Sequence, residues 1–138
     1  MKKLNLILFS IIILFSLINH SFSKEEEIFG KAYVIDGDTI KIKSKKIRLF
    51  GIDAPEKKQT CKKSFTSINF FNFQKNYNCG VLSTTYLKKK IGNNYIKCIS
   101  KTKDKYKRYL GVCYLGNLDL NRWMVENGYA VAYKKYSR

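Results

Sequence analysis

Short stretches in which apolar and polar residues alternate occur along much of the chain, and this pattern predicts half-buried strands. Residues 39–43, where isoleucine alternates with lysine, are the clearest example. We expect five strands in all, over residues 28–35, 39–43, 47–52, 95–100 and 109–115.

Two helices are expected among these strands. Leu82 and Tyr86 are four positions apart, as on one face of a helix, and predict a helix over residues 80–91. A second helix is expected over residues 119–127, where Gly128 stops it. Five short antiparallel strands with two helices predict an α+β domain, a five-stranded OB-fold-type Greek-key β-barrel.

The regular pattern fails over residues 57–78, where lysines alternate with aromatic residues. These aromatics could stack on the bases of a single-stranded nucleic acid. The interpretation that we favour is a long loop that folds its aromatics onto the barrel. The aromatics concerned are Phe65, Phe70, Phe71, Phe73 and Tyr77.

The first 23 residues predict a secretory signal peptide. Lys2 and Lys3 precede an apolar run over residues 4–18, and small residues flank a cleavage point after Ser23. An uncleaved membrane anchor is the alternative, although the run is short for a span. We therefore expect a single domain over residues 24–138, secreted or periplasmic, with no stable membrane span after processing.

The charge and the histidine content limit which partners and which catalytic groups the chain can have. The net charge is +17, and +15 remains without Lys2 and Lys3, which favours a polyanionic partner such as nucleic acid. The single histidine, His20, falls in the predicted signal peptide. A mature chain without histidine excludes Ser-His-Asp hydrolysis and histidine-dependent nucleases, so a general base has to be a carboxylate, with Lys or Tyr as the alternatives.

Four cysteines in an exported chain predict two disulfides, for which three connectivities exist. Sequential pairing fits the predicted elements best. Cys98 and Cys113 lie in neighbouring strands, and Cys61 and Cys79 would close the irregular stretch between them. Each closed loop should stabilise the fold by about 3 kcal/mol.

Acidic residues cluster in two short boxes, VIDGDTI (34–40) and RLFGIDAPE (48–56). A turn at residues 44–45 would place Asp38 opposite Gly51, so that Asp38 and Asp53 share a face and one cation can bridge them. The same register puts Arg48 on the other face. We therefore expect a bulge or kink between residues 49 and 52, at Gly51.

The ordered set DGDT, RLFGIDAPE, DKYKR, DLN and W-x-V-x-x-G resembles the staphylococcal nuclease (thermonuclease) family over nearly the whole predicted mature chain. The four-cysteine layout resembles that of exported bacterial members. The resemblance implies a calcium-dependent nuclease that cleaves the P–O5′ bond of DNA and RNA and leaves 3′-phosphate ends. Single-stranded substrate and a monomeric enzyme are expected.

Residue roles follow from the same resemblance, position by position. Asp38, Asp53 and the backbone carbonyl of Ala54 would bind Ca²⁺. Glu56 would be the general base, and Arg48 and Arg108 would contact the reacting phosphate. Lys105, Tyr106 and Tyr133 would line the nucleotide pocket.

Three departures from the family pattern are visible. Ala54 stands where the archetype has Thr, which keeps the carbonyl ligand but removes a hydroxyl. Lys107 replaces a common Gly, and we expect it to restrict its loop. Relatives usually continue past the position of Arg138, and we expect the shorter C-terminus to affect stability more than chemistry.

Two other functions fit parts of the sequence. A non-catalytic nucleic-acid-binding barrel would explain the charge, but it has no need for Glu56, Arg48 and Arg108 together. A cationic factor acting on membranes or wall polymers would need a long amphipathic basic helix, and neither predicted helix is long or apolar enough.

Overall fold

A computed structural model describes residues 25–68 and 71–133, so the predicted signal peptide lies outside the described residues. Ten strands and two helices follow one another in the described part. The strands are β1 (Glu26–Val34), β2 (Thr39–Ile42), β3 (Lys45–Leu49), β4 (Ile52–Asp53), β5 (Cys61–Ile68), β6 (Phe71–Tyr77), β7 (Tyr95–Lys103), β8 (Tyr109–Leu115), β9 (Leu118–Asp119) and β10 (Val131–Ala132). The helices are α1 (Cys79–Ile91) and α2 (Leu120–Glu126).

Five strands close into a barrel, in the order β3-β2-β1-β7-β8. The pairs within this row are antiparallel, whereas β3 closes the barrel by pairing with β8 in parallel, with Arg48 opposite Leu110. Inward-facing residues such as Ile40, Ile47 and Met124 are fully buried and form one core with the helices. The predicted α+β barrel of OB-fold type with two helices is confirmed.

The β2–β3 hairpin differs from its predicted register. Thr39 lies opposite Arg48 and Ile42 opposite Lys45, so the turn is at residues 43–44 and Asp38 does not face Gly51. The backbone N–H of Leu49 donates to the carbonyl of Asp38 at 2.7 Å. The prediction of the register failed because an Ile-Lys alternation fits equally well when the strands slide by two residues.

The predicted kink at Gly51 is confirmed. β3 ends at Leu49, and Gly51 has φ +78°, a left-handed conformation that glycine adopts without steric cost. Beyond this turn, β4 leaves the barrel row and pairs with β10, with Asp53 opposite Val131. Asn121 of α2 supports the turn, because its Nδ2 donates to the carbonyls of Phe50 and Gly111.

The prediction of an irregular loop over residues 57–78 was wrong. β5 and β6 form a separate antiparallel hairpin, in which Cys61 lies opposite Tyr77. The tyrosine ring is exposed, which does not support the packing interpretation for this residue. The side chains of the four phenylalanines lie outside those that the structure describes, so neither interpretation is tested for them.

Both predicted disulfides are present, and each connects two secondary-structure elements. Cys98 and Cys113 are direct partners across β7 and β8 and are fully buried. Cys61 and Cys79 join the base of the β5–β6 hairpin to the first residue of α1. In the described part of the chain, no helix combines the length and apolar character needed to cross a membrane.

Candidate active site

Asp38 lies at the entrance to β2, where the chain bends before it joins the sheet. Its backbone N–H donates to Asp36 Oδ1 at 3.1 Å, and the Thr39 hydroxyl donates to Asp38 Oδ1 at 2.8 Å. Only 5% of Asp38 is exposed. Asp36 thus shapes the turn, and Asp38 is directed into the site.

Arg48 joins the two carboxylates predicted to bind metal. Its Nη2 lies 3.0 Å from Asp38 Oδ2 and 2.7 Å from Asp53 Oδ1. Strand alternation had predicted that Arg48 and Asp38 lie on opposite faces, but Asp38 precedes the strand and its side chain does not follow this alternation. The two carboxylates therefore converge on one cationic group.

Burial controls the protonation of Asp38. Desolvation raises the pKa of its carboxyl from 3.8 to about 6, although the Thr39 hydroxyl and the charge of Arg48 act in the opposite direction. The nearby Asp36 adds to the rise. A bound cation would favour the charged form of this carboxylate.

Arg108 is held from two sides. Its Nε donates to Asp104 Oδ2 at 2.7 Å, and its Nη1 donates to the Thr39 hydroxyl at 3.3 Å. Burial acts to raise the pKa of Asp104, but the hydrogen bonds from the backbone and side chain of Arg108 outweigh it and the pKa is lowered. Thr39 therefore lies in a chain of hydrogen bonds that runs from Arg108 to Asp38.

An open cleft of about 420 Å³ brings these groups together. It is lined by Lys46, Arg48, Glu56, Tyr106 and Arg108. Glu56 is exposed there as the one carboxylate among four residues that can bind an anion. Four of the predicted site residues, namely Glu56, the two arginines and Tyr106, thus face the same space.

The loop that carries Glu56 is fixed at the start of α1. The N–H of Glu56 donates to Gln59 Oε1 at 3.1 Å, and the N–H of Gln59 donates back to the Glu56 carbonyl at 2.7 Å. The helix comes close because residue 80 is glycine: a Cβ there would lie 1.7 Å from the Glu56 carbonyl oxygen. The position of Glu56 therefore depends on α1.

Not all of the residues predicted to line the nucleotide pocket lie at the cleft. Tyr106 is 67% exposed at the cleft, with the charged groups of Lys105 and Arg108 over its ring at 5.0 and 5.5 Å. Tyr133 follows β10, where its N–H donates to the Gly51 carbonyl, and neither it nor Lys105 is among the residues lining the cleft.

Residues 46–138 match the family described as staphylococcal nuclease homologue. The match spans more than half of the chain and includes most of the residues of the cleft. The chain belongs to this family.

Several known proteins align with most of this chain. The succinoglycan biosynthesis protein ExoI of Rhizobium meliloti is 34% identical over 117 residues, which cover 83% of this chain and 57% of that protein. An uncharacterized endonuclease of Haemophilus influenzae is 32% identical over 96% of this chain and 66% of its own length. Another from Escherichia coli is 32% identical over 80% of this chain and 65% of its own length. The chain thus spans about three fifths of these relatives.

The donor chemistry of the family site fits a calcium ion. Asp38 and Asp53 offer hard carboxylate oxygens that already converge on the Arg48 guanidinium, and such oxygens are the ligands that Ca²⁺ prefers. No three His, Cys, Asp or Glu side chains gather around one point in the described residues. A site built on these two carboxylates would need further oxygens, and the predicted Ala54 carbonyl is of that kind.

Sequence reasoning gave no role to Thr39, Lys46, Asp104 and Gln59. Thr39 and Asp104 belong to the DGDT and DKYKR motifs, so their place in those motifs could have marked them. Lys46 and Gln59 had no such signal, because a lysine in this basic chain and a glutamine in a loop are ordinary surface residues.

Proposed function

We propose that this protein is a calcium-dependent nuclease that hydrolyses phosphodiester bonds in DNA and RNA. The observation that carries the proposal is the cleft in which Arg48, Arg108 and Glu56 meet beside Asp38 and Asp53. Membership of the nuclease family and the endonuclease relatives support the same reaction class.

In this proposal, the two arginines bind the scissile phosphate. A guanidinium is permanently charged and planar, and it can donate two parallel hydrogen bonds to phosphate oxygens. Asp104 and Thr39 orient Arg108, and Arg48 lies beside Asp38 and Asp53, the proposed metal ligands. The charge that grows on the phosphoryl oxygens in the transition state is then stabilised by groups already in position.

Glu56 is the proposed general base. It takes a proton from a water molecule, whose oxygen attacks the phosphorus while the P–O5′ bond breaks and the leaving O5′ takes a proton from solvent water. The products are a 3′-phosphate end and a 5′-hydroxyl end. Asp38, Asp53 and the Ala54 carbonyl would hold the calcium ion, which would supply Lewis-acid stabilisation of the phosphoryl oxygens.

Substrate choice and location complete the proposal. A single-stranded substrate fits best, because Tyr106 and the more distant Tyr133 offer exposed rings on which unpaired bases can stack. Lys105, beside Tyr106, suits an adjacent phosphate. We further propose that the enzyme acts as a monomer in the periplasm or outside the cell, after removal of residues 1–23.

The test is cleavage of single-stranded DNA by the oxidised chain, with calcium and with a chelator. Calcium-dependent cleavage is expected. Glu56→Gln should lower the rate by about 10²–10⁴-fold, because the amide cannot take the proton. Glu126→Gln, an exposed change on α2, is the matched control and should keep the wild-type rate.

A folded chain that binds DNA but never cleaves it would favour the alternative function, a non-catalytic nucleic-acid-binding module of OB type. Cleavage that Glu56→Gln leaves intact would keep the nuclease reaction but remove Glu56 as its base. Equal cleavage with calcium and with the chelator would remove the proposed metal.

A further inference from the structure

The β5–β6 hairpin belongs to the most basic part of the chain. Residues 57–103 include eleven lysines and no Asp or Glu, so the hairpin has no acidic neighbour in sequence. It forms a two-stranded sheet of its own, separate from the barrel. A basic element of this kind is suited to a polyanion.

One face of the hairpin carries a pair of like charges. Lys63 lies directly opposite Lys75, both are exposed, and no carboxylate in the described part of the chain forms an ion pair with either. Like charges in this arrangement repel each other and weaken a sheet. An anion placed between the two ammonium groups would remove that penalty.

The same face leads back to the candidate active site. Side chains alternate along a strand, so Cys61 and Tyr77, two positions from the lysines, share their face. Both residues line a pocket of about 330 Å³ whose other walls include Asp53 and Ala54. The pocket therefore brings two of the proposed metal ligands, Asp53 and Ala54, to the residues that share a face with the lysine pair.

We propose that Lys63 and Lys75 bind the phosphate backbone of the substrate strand outside the cleft, with Tyr77 beside the intervening nucleotide. This inference rests on the proposed nuclease function and extends its substrate site. Single-stranded nucleic acids are bound by surfaces that combine positive charge with aromatic rings, and this face supplies both. The expected partner is a single strand several nucleotides long.

The test is the salt dependence of binding, measured with the full oxidised chain and a fluorescent single-stranded oligonucleotide in chelator, between about 50 and 200 mM salt. Each phosphate contact to a single strand contributes about 0.7 to the slope of log K against log salt. Lys63→Gln/Lys75→Gln should therefore flatten the slope by about 1.4.

Lys62→Gln is the matched control for Lys63→Gln. Lys62 is exposed on the same strand but faces the other side, opposite Asn76, so both variants lose one charge from neighbouring positions. We expect Lys63→Gln to flatten the slope by about 0.7 and Lys62→Gln to change it much less. Equal effects, or an unchanged slope in the double variant, would overturn the proposal.

Binding in chelator does not depend on cleavage, so the two proposals fail separately. If the wild-type chain never cleaves but the lysine variants flatten the salt slope as expected, the phosphate-binding role of the lysine pair is kept and the proposed nuclease activity is refuted. If the wild-type chain cleaves but the lysine variants leave the slope unchanged, the nuclease activity is kept and the role of the lysine pair is refuted. Loss of binding to anionic phospholipid vesicles, with oligonucleotide binding unchanged, would assign the pair to a membrane and overturn the proposal.

Discussion

Arg48 contacts two carboxylates, Asp38 and Asp53, through a single guanidinium nitrogen. While Nη2 contacts Asp38 and Asp53, it is not available to a phosphate oxygen. A cation that took over the two carboxylates would leave the whole guanidinium to the substrate. Metal binding and phosphate binding should therefore reinforce each other through Arg48.

The buried carboxyl of Asp38 should make stability depend on pH. Its pKa is raised from 3.8 to about 6, so its favourable contribution is complete below pH 3.8 and is lost as pH rises through 6. The asparagine of Asp38→Asn cannot titrate, so only the wild type loses this contribution as pH rises. In chelator, the free energy of unfolding of Asp38→Asn, relative to that of the wild type, should therefore rise by about 2–3 kcal/mol between pH 4 and pH 7.

Urea unfolding of both proteins at several pH values measures this difference. Because the other ionisable groups are common to the two proteins, their effects largely cancel. A difference that stays constant over this range would mean that Asp38 keeps an ordinary pKa in the fold.

The residue types of the site could be predicted from the sequence, but their contacts could not. Arg48 and Asp38 were placed on opposite faces by strand alternation, a rule that stops applying where Asp38 precedes the strand. The link from Arg108 through Thr39 to Asp38 spans 69 positions between arginine and threonine, and such a pairing depends on the closed barrel.

Among the elements, the connection between β7 and β8 shows a local conflict between sequence and backbone. Asp104 accepts the N–H groups of Tyr106 and Arg108, both at 2.9 Å, which closes a tight loop. Lys107 in this loop has φ +62°, a left-handed conformation that costs a non-glycine residue about 1–2 kcal/mol. The resemblance to the family, in which Gly is common here, had predicted that Lys107 restricts the loop, and this stays a prediction.

Lys107→Gly should relieve this strain. Glycine adopts the left-handed conformation without steric cost but loses more entropy on folding, so the expected net gain is about 0.5–1 kcal/mol in the free energy of unfolding. Lys105→Gly is the matched control, because residue 105 does not have positive φ. It should destabilise the fold in the same urea experiment, and a loss of stability in Lys107→Gly would contradict the prediction.

The β5–β6 hairpin was missed for a physical reason. Alternation reveals a strand when one face is buried and the other is exposed. Apart from Cys61, the described side chains on both faces of this hairpin, such as Lys62 and Lys63, are exposed, so no such alternation arises. Strands of the barrel, by contrast, were predicted because their inward positions form the core.

For the whole molecule, the two disulfides differ in what surrounds them. Cys98 and Cys113 join two barrel strands in the core, whereas Cys61 is only partly buried at the base of the hairpin. The cross-linked residues are 15 and 18 positions apart, so chain entropy should make the two bridges nearly equal, at about 3 kcal/mol each. The packing around the two bridges should make their contributions to stability unequal.

We expect Cys98→Ala/Cys113→Ala to destabilise the protein more than Cys61→Ala/Cys79→Ala. Both lose the cross-link, but the first also leaves a cavity in the core, which should add about 1 kcal/mol or more. Thermal unfolding of the two variants beside the oxidised wild type measures the order. Equal unfolding temperatures would show that the cross-link alone sets the effect.

The parallel pairing of β3 with β8 has a consequence for the newly made chain. Arg48 lies opposite Leu110 in this pairing. β3 therefore gains its second neighbour only when a segment some sixty residues further along the chain has folded against it. Contacts between distant parts of a chain form slowly, because the long connection must first be closed. We therefore expect the two arginines and Asp38 to meet late in folding, so that unfinished chains would lack the cleft on which the proposed activity depends.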